Sequence, residues 1–297
     1  MYEIKQIERR AFPNLETSGK ILKWWQDGKE WMVKIPDDNR RDECWTEKCA
    51  CELCNIMEIP HAEYQLCCIT DAFGGRKFGV MTKKMMHSAQ QLAHGNELLS
   101  EWVPGYQFEM TKSRGNSLYT LENVFYCLDA LDKRYGRNDR ESTKTFCLYL
   151  LLDTLIGNQD RHHMNWGIIW DEVQAKQFLA PTFDHAASLG RGLSDTERES
   201  RLESKDSGFS VDRFAQRAKT MFVDDTGKKL STLNCLVKAI HLCPEARQTV
   251  LESLGLLNRS NIEEVLSNIP EELCSSVAKK FALELIAVNI ERVRSNV

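Results

Sequence analysis

One loop in the second half of the chain reads GNQDRHHMNWG, from Gly157 to Gly167. The residues before it, 143–156, are apolar on every side of a helix, which is typical of a helix buried in a core. Gly157 and Asn158 commonly end helices, and residues 166–170 predict a short strand. The loop is therefore expected to be held between two rigid elements, and it carries an acid, two histidines and an amide.

A second acid, Asp184, follows this loop beyond a predicted hairpin of residues 166–170 and 177–179. Asp160 and Asn165 lie five residues apart, and Asp184 lies nineteen residues after Asn165. In phosphoryl transfer one Asp orients or deprotonates the attacking hydroxyl, while an Asn and another Asp hold Mg²⁺ on the nucleotide phosphates. Oxygen ligands of this kind suit Mg²⁺. The order and spacing predict a phosphoryl-transfer site, with Asp160 as the catalytic residue and with Asn165 and Asp184 as metal ligands.

The rest of the chain divides into a strand-rich part and a helical part. A helix is predicted over residues 42–57, and strands at residues 21–25, 30–35, 63–70 and 77–82. From about His87 the apolar spacing becomes helical, and the region from Ser210 to Val297 predicts four or five helices. We therefore expect an α+β fold with a small β-rich N-lobe (residues 1–86) and a larger helical C-lobe (residues 87–297).

These motifs together resemble those of the HipA-like kinases, which have a bilobal protein-kinase-like fold. The resemblance spans roughly residues 17–190 and is carried by Gly157-Asn158-x-Asp160-x-His162-x-x-Asn165, Pro181-x-x-Asp184 and Ser188-Leu189-Gly190. The order Asp160-Arg161-His162-x-x-Asn165 is also similar to the catalytic loop of phosphatidylinositol 3-kinase relatives. That similarity implies a second role for His162, at the transferred phosphate.

The N-lobe offers matching residues for a nucleotide. A kinase needs a lysine on the phosphates and an acid that orients it; Lys34 on a predicted strand fits the first role, and Glu47 on the next helix fits the second better than Glu43 or Glu52 do. The phosphate loop would be residues 17–20, and residues 81–86 would form the hinge beside the adenine. The expected ATP-binding residues are Ser18, Gly19, Lys34, Glu47, Lys83 and Met85.

Each of these residues also has a purely structural interpretation. Lys34 and Glu47 could be solvated charges, His163 could be a structural loop histidine, and Asp184 could cap a turn. The sequence also departs from ordinary protein kinases, because the histidine follows the acid and Phe183-Asp184-His185 replaces Asp-Phe-Gly. About 16 residues precede the expected phosphate loop, so the chain resembles the short, free-standing members of the family.

The resemblance implies an ATP- and Mg²⁺-dependent kinase that transfers the γ-phosphate to a serine or threonine of a protein target and to itself. It further implies autophosphorylation at Thr17 or Ser18, a toxin-like or regulatory role, and an antitoxin-type protein partner. Two alternatives stay open. One is a kinase for a small-molecule, lipid or RNA hydroxyl, and the other is a nucleotide-binding pseudokinase that acts as an interaction module.

Composition limits the class of protein and the cellular compartment in which such a site is expected. The chain has 297 residues, 42 % hydrophobic and 28 % charged, with a net charge of −4, which gives no support to direct DNA binding. The longest apolar run, residues 148–156, is too short to cross a bilayer. Eleven cysteines, an odd number, predict reduced thiols in the cytoplasm, and the spacing of the group from Cys44 to Cys54 argues against a zinc site.

Overall fold

Six strands of the N-terminal part form one sheet in a computed structural model, which describes residues 1–7, 16–18, 21–26, 28, 30–70, 74–109, 117–137 and 139–297. The strands are β1 (Ile4–Ile7), β2 (Glu16–Ser18), β3 (Ile21–Gln26), β4 (Trp31–Pro36), β5 (Tyr64–Thr70) and β6 (Arg76–Lys83). Their order across the sheet is β1-β5-β6-β4-β3-β2. The β1–β5 pair is parallel, and the other neighbours are antiparallel.

The two faces of this sheet serve different purposes, as the alternation along β4 illustrates. Trp31, Val33 and Ile35 are buried in a core cluster on one face, while Met32 and Lys34 point to the other face and line a cavity. Side chains on a strand alternate between faces, so the single segment WMVKIP supplies both the core and the site.

One helix, α1 (Asp42–Met57), packs against β5 and β6. Its bounds coincide with the helix predicted from the sequence. The cysteines of this helix and of β5 are all buried free thiols, and they pack there as small hydrophobic side chains. Asp42 and Glu43 stand in its first turn, where the helix dipole favours negative charge.

The second part of the chain combines nine helices and two small sheets among the described residues. The helices are α2 (Gly95–Trp102), α3 (Leu121–Arg134), α4 (Glu141–Ile156), α5 (Asp195–Glu203), α6 (Val211–Arg217), α7 (Thr232–Leu242), α8 (Ala246–Gly255), α9 (Arg259–Asn268) and α10 (Ser276–Asn296). The strands are β7 (Gln90–His94), β8 (Gly167–Asp171), β9 (Lys176–Leu179), β10 (Lys219–Val223) and β11 (Lys229–Ser231). In the part of the chain that the structure covers, none of the helices combines the length and the apolar character that crossing a bilayer requires.

Helix α4 is the centre of this part, because it packs against α3, α7, α8 and α10. Thirteen of its residues are buried, as its all-round apolar sequence predicts. The β8–β9 hairpin lies near the predicted place, with β7 added at its edge. The predicted division after residue 86 falls in the connection from β6 to β7; the lobe boundaries themselves remain a prediction, since one hydrophobic core runs through both parts.

Five helices, α6 to α10, follow Ser210, within the predicted four or five, but the β10–β11 hairpin between them was not predicted. The turn of this hairpin is built on Asp224, whose side chain accepts hydrogen bonds from the backbone N–H groups of Thr226 and Lys228. Asp and Gly within a short polar run, here Asp224-Asp225-Thr226-Gly227, are a turn signal. This turn signal is present in the sequence, and at these residues it favours a hairpin over the helices predicted on either side.

Candidate active site

A cavity of about 690 Å³ lies between the six-stranded sheet and the loop that follows α4. Its size is typical of a site for a small organic ligand. Its lining is apolar where Trp25 pairs with Met32 across β3 and β4, while Val80 lies directly opposite Lys34. The remainder carries the charged residues predicted from the sequence. The cavity therefore offers an apolar end and a charged end to one ligand.

The strand lysine and the helix glutamate meet at the charged end. Lys34 Nζ lies 3.9 Å from Glu47 Oε1, and the Glu47 side chain is 2 % exposed. Glu47 Oε2 also accepts a hydrogen bond from the backbone N–H of His185, at 2.9 Å. Burial raises the pKa of Glu47, and the nearby Asp184 charge raises it further, to about 8. Of the three glutamates considered for Lys34, the structure selects Glu47, since Arg40 and Arg191 hold Glu43 and Lys48 holds Glu52.

Asp184 faces the same lysine with its charge in place. Burial alone would raise the pKa of this carboxyl, but Lys34, Lys23 and His162 together lower it to about 2. In return, Asp184 is the largest of the charges that raise the pKa of Lys34, against the effect of its burial. Lys34 and Asp184 are therefore both ionised at neutral pH.

The backbone at Asp184 is held in an uncommon conformation. Its φ is 60°, in the left-handed region that few residues other than glycine adopt. Its N–H donates to the Tyr64 hydroxyl at 3.1 Å, and the next residue is fixed by Glu47. Strain of this kind persists where neighbouring contacts determine the geometry, and it is found most often at functional sites.

The loop after α4 brings three predicted residues to the cavity: Asp160, His162 and Asn165. The Asn165 side-chain Nδ2 donates to the Asp160 carbonyl at 2.7 Å, so its amide oxygen remains as an acceptor. The backbone N–H of Met164 donates to His162 Nδ1 at 3.1 Å. With that nitrogen accepting, the proton of a neutral His162 is on Nε2.

A buried ion pair that sequence reasoning missed holds this loop in place. Arg161 is fully buried, and its Nε and Nη2 each donate to the Asp153 carboxylate at 2.8 Å. Arg161 Nη1 donates to the carbonyls of Asn165 at 2.6 Å and Phe183 at 3.3 Å. One side chain thereby connects the loop after α4, helix α4 itself and the segment that carries Asp184. The signal available in the sequence was Asp153, an acid inside an otherwise apolar helix.

His163 has a structural environment. It is 2 % exposed, and its Nδ1 lies 2.8 Å from the Tyr106 hydroxyl. Its backbone carbonyl accepts from the N–H of Asn96 at the start of α2. Burial, together with the neighbouring His162, lowers the pKa of His163 to about 4. The structure thus favours the interpretation of His163 as a loop-packing residue.

The predicted site residues are distributed as follows. The cavity is lined by Lys34, Glu47, Lys83, Met85, Asp160, His162, Asn165 and Asp184. Thr17 and Ser18 lie in β2, where their backbones pair with Leu22 and Ile21. The predicted phosphate-loop residues Gly19 and Lys20 lie outside the described residues. Three further cationic side chains line the cavity, Lys23, Arg40 and Lys84, which the sequence analysis did not single out as site residues.

Comparison with known protein sequences identifies a family model and a related kinase. The model described as HipA-like C-terminal domain matches residues 16–240. The serine/threonine-protein kinase CtkA of Helicobacter pylori is 22 % identical over 274 residues, which cover 89 % of this chain and 77 % of CtkA.

Solved structures of related proteins share the fold of this chain. The crystal structure of the Helicobacter pylori proinflammatory kinase CtkA matches with a TM-score of 0.72 at 20 % identity, covering 97 % of this chain and 94 % of that one. HipA of Shewanella oneidensis, solved with HipB and its operator DNA, matches with a TM-score of 0.60 at 13 % identity, covering 96 % and 68 %. The predicted α+β, protein-kinase-like fold is confirmed by these matches.

Proposed function

The chain belongs to the family of HipA-like C-terminal domains, and from this premise we propose that it is an ATP- and Mg²⁺-dependent kinase acting on a serine or threonine hydroxyl of a protein. The observation that carries the proposal is the convergence of Lys34, Asp160, Asn165 and Asp184 on one cavity. These residue types in this order are the parts of a phosphoryl-transfer site.

The donor set fits a nucleotide with its metal. The ionised Asp184 carboxylate and the Asn165 amide oxygen are hard oxygen ligands that would hold Mg²⁺, leaving its other positions to water and phosphate. When bound, Mg²⁺ neutralises charge on the phosphates. The apolar end of the cavity would receive the adenine, and Lys34, oriented by Glu47, would contact the phosphates. Lys83 at the end of β6 and Met85 in the connection that follows would border the adenine.

The chain's own residues then account for the transfer step. Asp160 would orient the acceptor hydroxyl and take its proton as the acceptor oxygen bonds to the γ-phosphorus. The bond from that phosphorus to the β-phosphate oxygen breaks, which leaves ADP. His162 would donate its Nε2 proton in a hydrogen bond to the transferred phosphoryl group. Positioning and charge stabilisation supply most of the rate in reactions of this class.

The acceptor and the partner are proposed on likeness. CtkA is a serine/threonine-protein kinase, which favours a protein hydroxyl as the acceptor, with Thr17 and Ser18 as sites of autophosphorylation. The Shewanella oneidensis HipA was solved with HipB as part of a toxin–antitoxin system. From this likeness we propose for the present chain a regulatory role, an antitoxin-type protein partner and a cytoplasmic location.

The test is phosphate transfer from γ-labelled ATP in the presence of Mg²⁺ and a cell lysate, comparing the wild type with Asp160→Asn. Loss of a catalytic base typically costs about 10²- to 10⁴-fold in rate, so labelling of protein should fall at least a hundredfold. Asp225→Asn is the matched control, because Asp225 is 92 % exposed and lies outside the cavity.

Three outcomes would contradict the proposal. Equal labelling by Asp160→Asn would remove Asp160 from the reaction. Label in a lipid, RNA or small-molecule fraction would assign a different acceptor. ATP binding without any transfer would identify a pseudokinase.

A further inference from the structure

We propose that Tyr64 on β5 is a positioning residue for metal binding, because its hydroxyl fixes the backbone of Asp184, the proposed metal ligand. The proposal rests on the proposed function, since it takes Asp184 as a ligand of Mg²⁺. It gives a role to an uncharged side chain that belongs neither to the loop after α4 nor to the lysine–glutamate pair.

The Tyr64 side chain reaches the site from the first residue of β5. In the register of the sheet it lies opposite Thr82 on β6, and both residues line the cavity. Directly opposite residues project to the same face, so the ring lies on the cavity side of the sheet. Tyr64 is 1 % exposed, and its hydroxyl oxygen accepts a hydrogen bond from the Asp184 N–H at 3.1 Å.

Tyr64 is itself fixed at its backbone and at its ring. Lys48 Nζ on α1 donates to the Tyr64 carbonyl at 3.0 Å. The ring belongs to a buried apolar cluster with Cys51, Ala62 and Val80. Phe183, the residue before Asp184, packs against the same cluster. The hydroxyl is therefore an acceptor in a fixed position beside the segment that carries Asp184.

The backbone of Asp184 depends on contacts of this kind. Its φ of 60° lies in the left-handed region, and such a conformation persists only where the surrounding structure determines it. Its own N–H is held by Tyr64, and the N–H of His185 is held by Glu47 at 2.9 Å. Two successive N–H groups are thus bound by β5 and α1. Because backbone dihedrals set the direction of a side chain, these contacts also direct the Asp184 carboxylate.

The Tyr64 hydroxyl would act on the metal through the orientation of its ligand. Groups that orient metal ligands by hydrogen bonds typically contribute about tenfold to a hundredfold to metal affinity. Tyr64→Phe removes this hydroxyl without a change of charge. It keeps the aromatic ring, whose centroid lies 6.0 Å from Lys34 Nζ. Binding of a nucleotide without metal should therefore be preserved in the variant.

The experiment compares the wild type with Tyr64→Phe by three measurements. Hydrogen exchange, followed by NMR, reports the protection of the Asp184 N–H in the free protein. Calorimetry gives the dissociation constant of a non-hydrolysable ATP analogue without metal. Electron paramagnetic resonance gives the dissociation constant of Mn²⁺ when the protein is in excess over the analogue, since Mn²⁺ prefers the same oxygen ligands as Mg²⁺.

The Asp184 N–H of Tyr64→Phe should exchange roughly fivefold to tenfold faster, because a hydrogen bond is lost. The variant should bind Mn²⁺ about tenfold to a hundredfold more weakly, while it binds the analogue within about twofold of the wild type. Thermal unfolding curves identify any loss of the folded state.

Tyr149→Phe is the matched control. Tyr149 is also buried, and its hydroxyl donates to a backbone carbonyl, that of Ala180, at 2.9 Å. The same chemical change is therefore made at a buried hydroxyl that does not contact Asp184 in the described structure. All three measurements should stay unchanged in this variant.

Each other outcome overturns a stated part of the reasoning. If Tyr64→Phe leaves the exchange of the Asp184 N–H or the Mn²⁺ affinity unchanged, the role of Tyr64 is wrong and the proposed function is untouched. If the analogue and Mn²⁺ weaken together, or if Tyr149→Phe weakens Mn²⁺ equally, Tyr64 supports the fold and not the metal. If the wild type binds neither the analogue nor Mn²⁺, both the role of Tyr64 and the proposed function are wrong.

Discussion

The Arg161–Asp153 pair offers a quantitative test of how the catalytic loop is held. Asp153→Asn keeps the shape of the side chain but removes its charge. Both Asp153 oxygens accept from Arg161, and Oδ1 also accepts from Asn158 Nδ2. In either orientation, the new amide nitrogen of the variant would face a guanidinium donor, and the Arg161 charge would be left buried without its partner.

The expected loss of stability follows from the burial of the pair, since Arg161 is 0 % and Asp153 is 3 % exposed. Removing one partner of a buried ion pair costs about 3–5 kcal/mol. For a chain of this size, that loss corresponds to a fall in Tm of roughly 5–8 °C. Phosphate transfer should fall as well, because Arg161 also binds the carbonyls of Asn165 and Phe183 and so aligns the two segments proposed to hold the metal.

The assay is urea unfolding of the wild type, Asp153→Asn and the double variant Asp153→Leu/Arg161→Met, with Asp225→Asn as the surface control. Replacing a whole buried pair with apolar residues avoids the uncompensated charge. The double variant should therefore be more stable than Asp153→Asn by at least about 1 kcal/mol. A loss below about 1 kcal/mol for Asp153→Asn, or a double variant less stable than the single one, would refute the reasoning.

Two further predictions concern the packing of the N-lobe. Gly79→Ala on β6 should destabilise the fold by about 1–3 kcal/mol, because an added Cβ would lie 2.5 Å from the Lys34 carbonyl oxygen. In thermal unfolding the control is Gly255→Ala, where the added Cβ meets open space. Equal melting temperatures of the two variants would contradict the predicted clash at Gly79. The buried thiols should react slowly with a thiol reagent until the chain unfolds, since burial raises the pKa of Cys51 from 9.0 to about 11 and that of Cys44 beyond it. Because the thiols keep their protons longer in the folded state than in the unfolded state, they contribute to stability fully below about pH 9. This contribution is lost as the pH rises above that value. A free energy of unfolding that stays constant up to pH 11 would contradict this prediction.

Residues with local signals were predictable from the sequence. The helix from Asp42 to Met57 follows from its spacing and its acidic first turn. The residues of the loop were predicted because phosphoryl transfer requires an Asp, an Asn and a second Asp in that order, and the fold brings them to one cavity. Lys34 and Glu47 were predicted as a pair because a phosphate-binding lysine needs an orienting acid. The folded chain shows that Lys34 contacts Glu47, whereas Glu43 and Glu52 pair with other residues.

Other features depend on contacts between distant segments, which periodicity does not encode. Arg161 reads as a solvent-exposed loop residue until α4 brings Asp153 against it. The position of Lys23 on the cavity-facing side of the sheet became visible only with the register of the β3–β4 hairpin. The parallel β1–β5 pair joins segments about sixty residues apart, and only the folded sheet reveals it.

The most direct test of the account is phosphate transfer by Asp184→Asn over a range of Mg²⁺ concentrations, beside the wild type. The central claim is that the ionised Asp184 completes one phosphoryl-transfer site with Lys34, Asp160 and Asn165. The wild type should show transfer that rises with Mg²⁺ and saturates, while Asp184→Asn should be at least about a hundredfold slower at every concentration. An Asp184→Asn variant with the rate and the Mg²⁺ dependence of the wild type would contradict the claim.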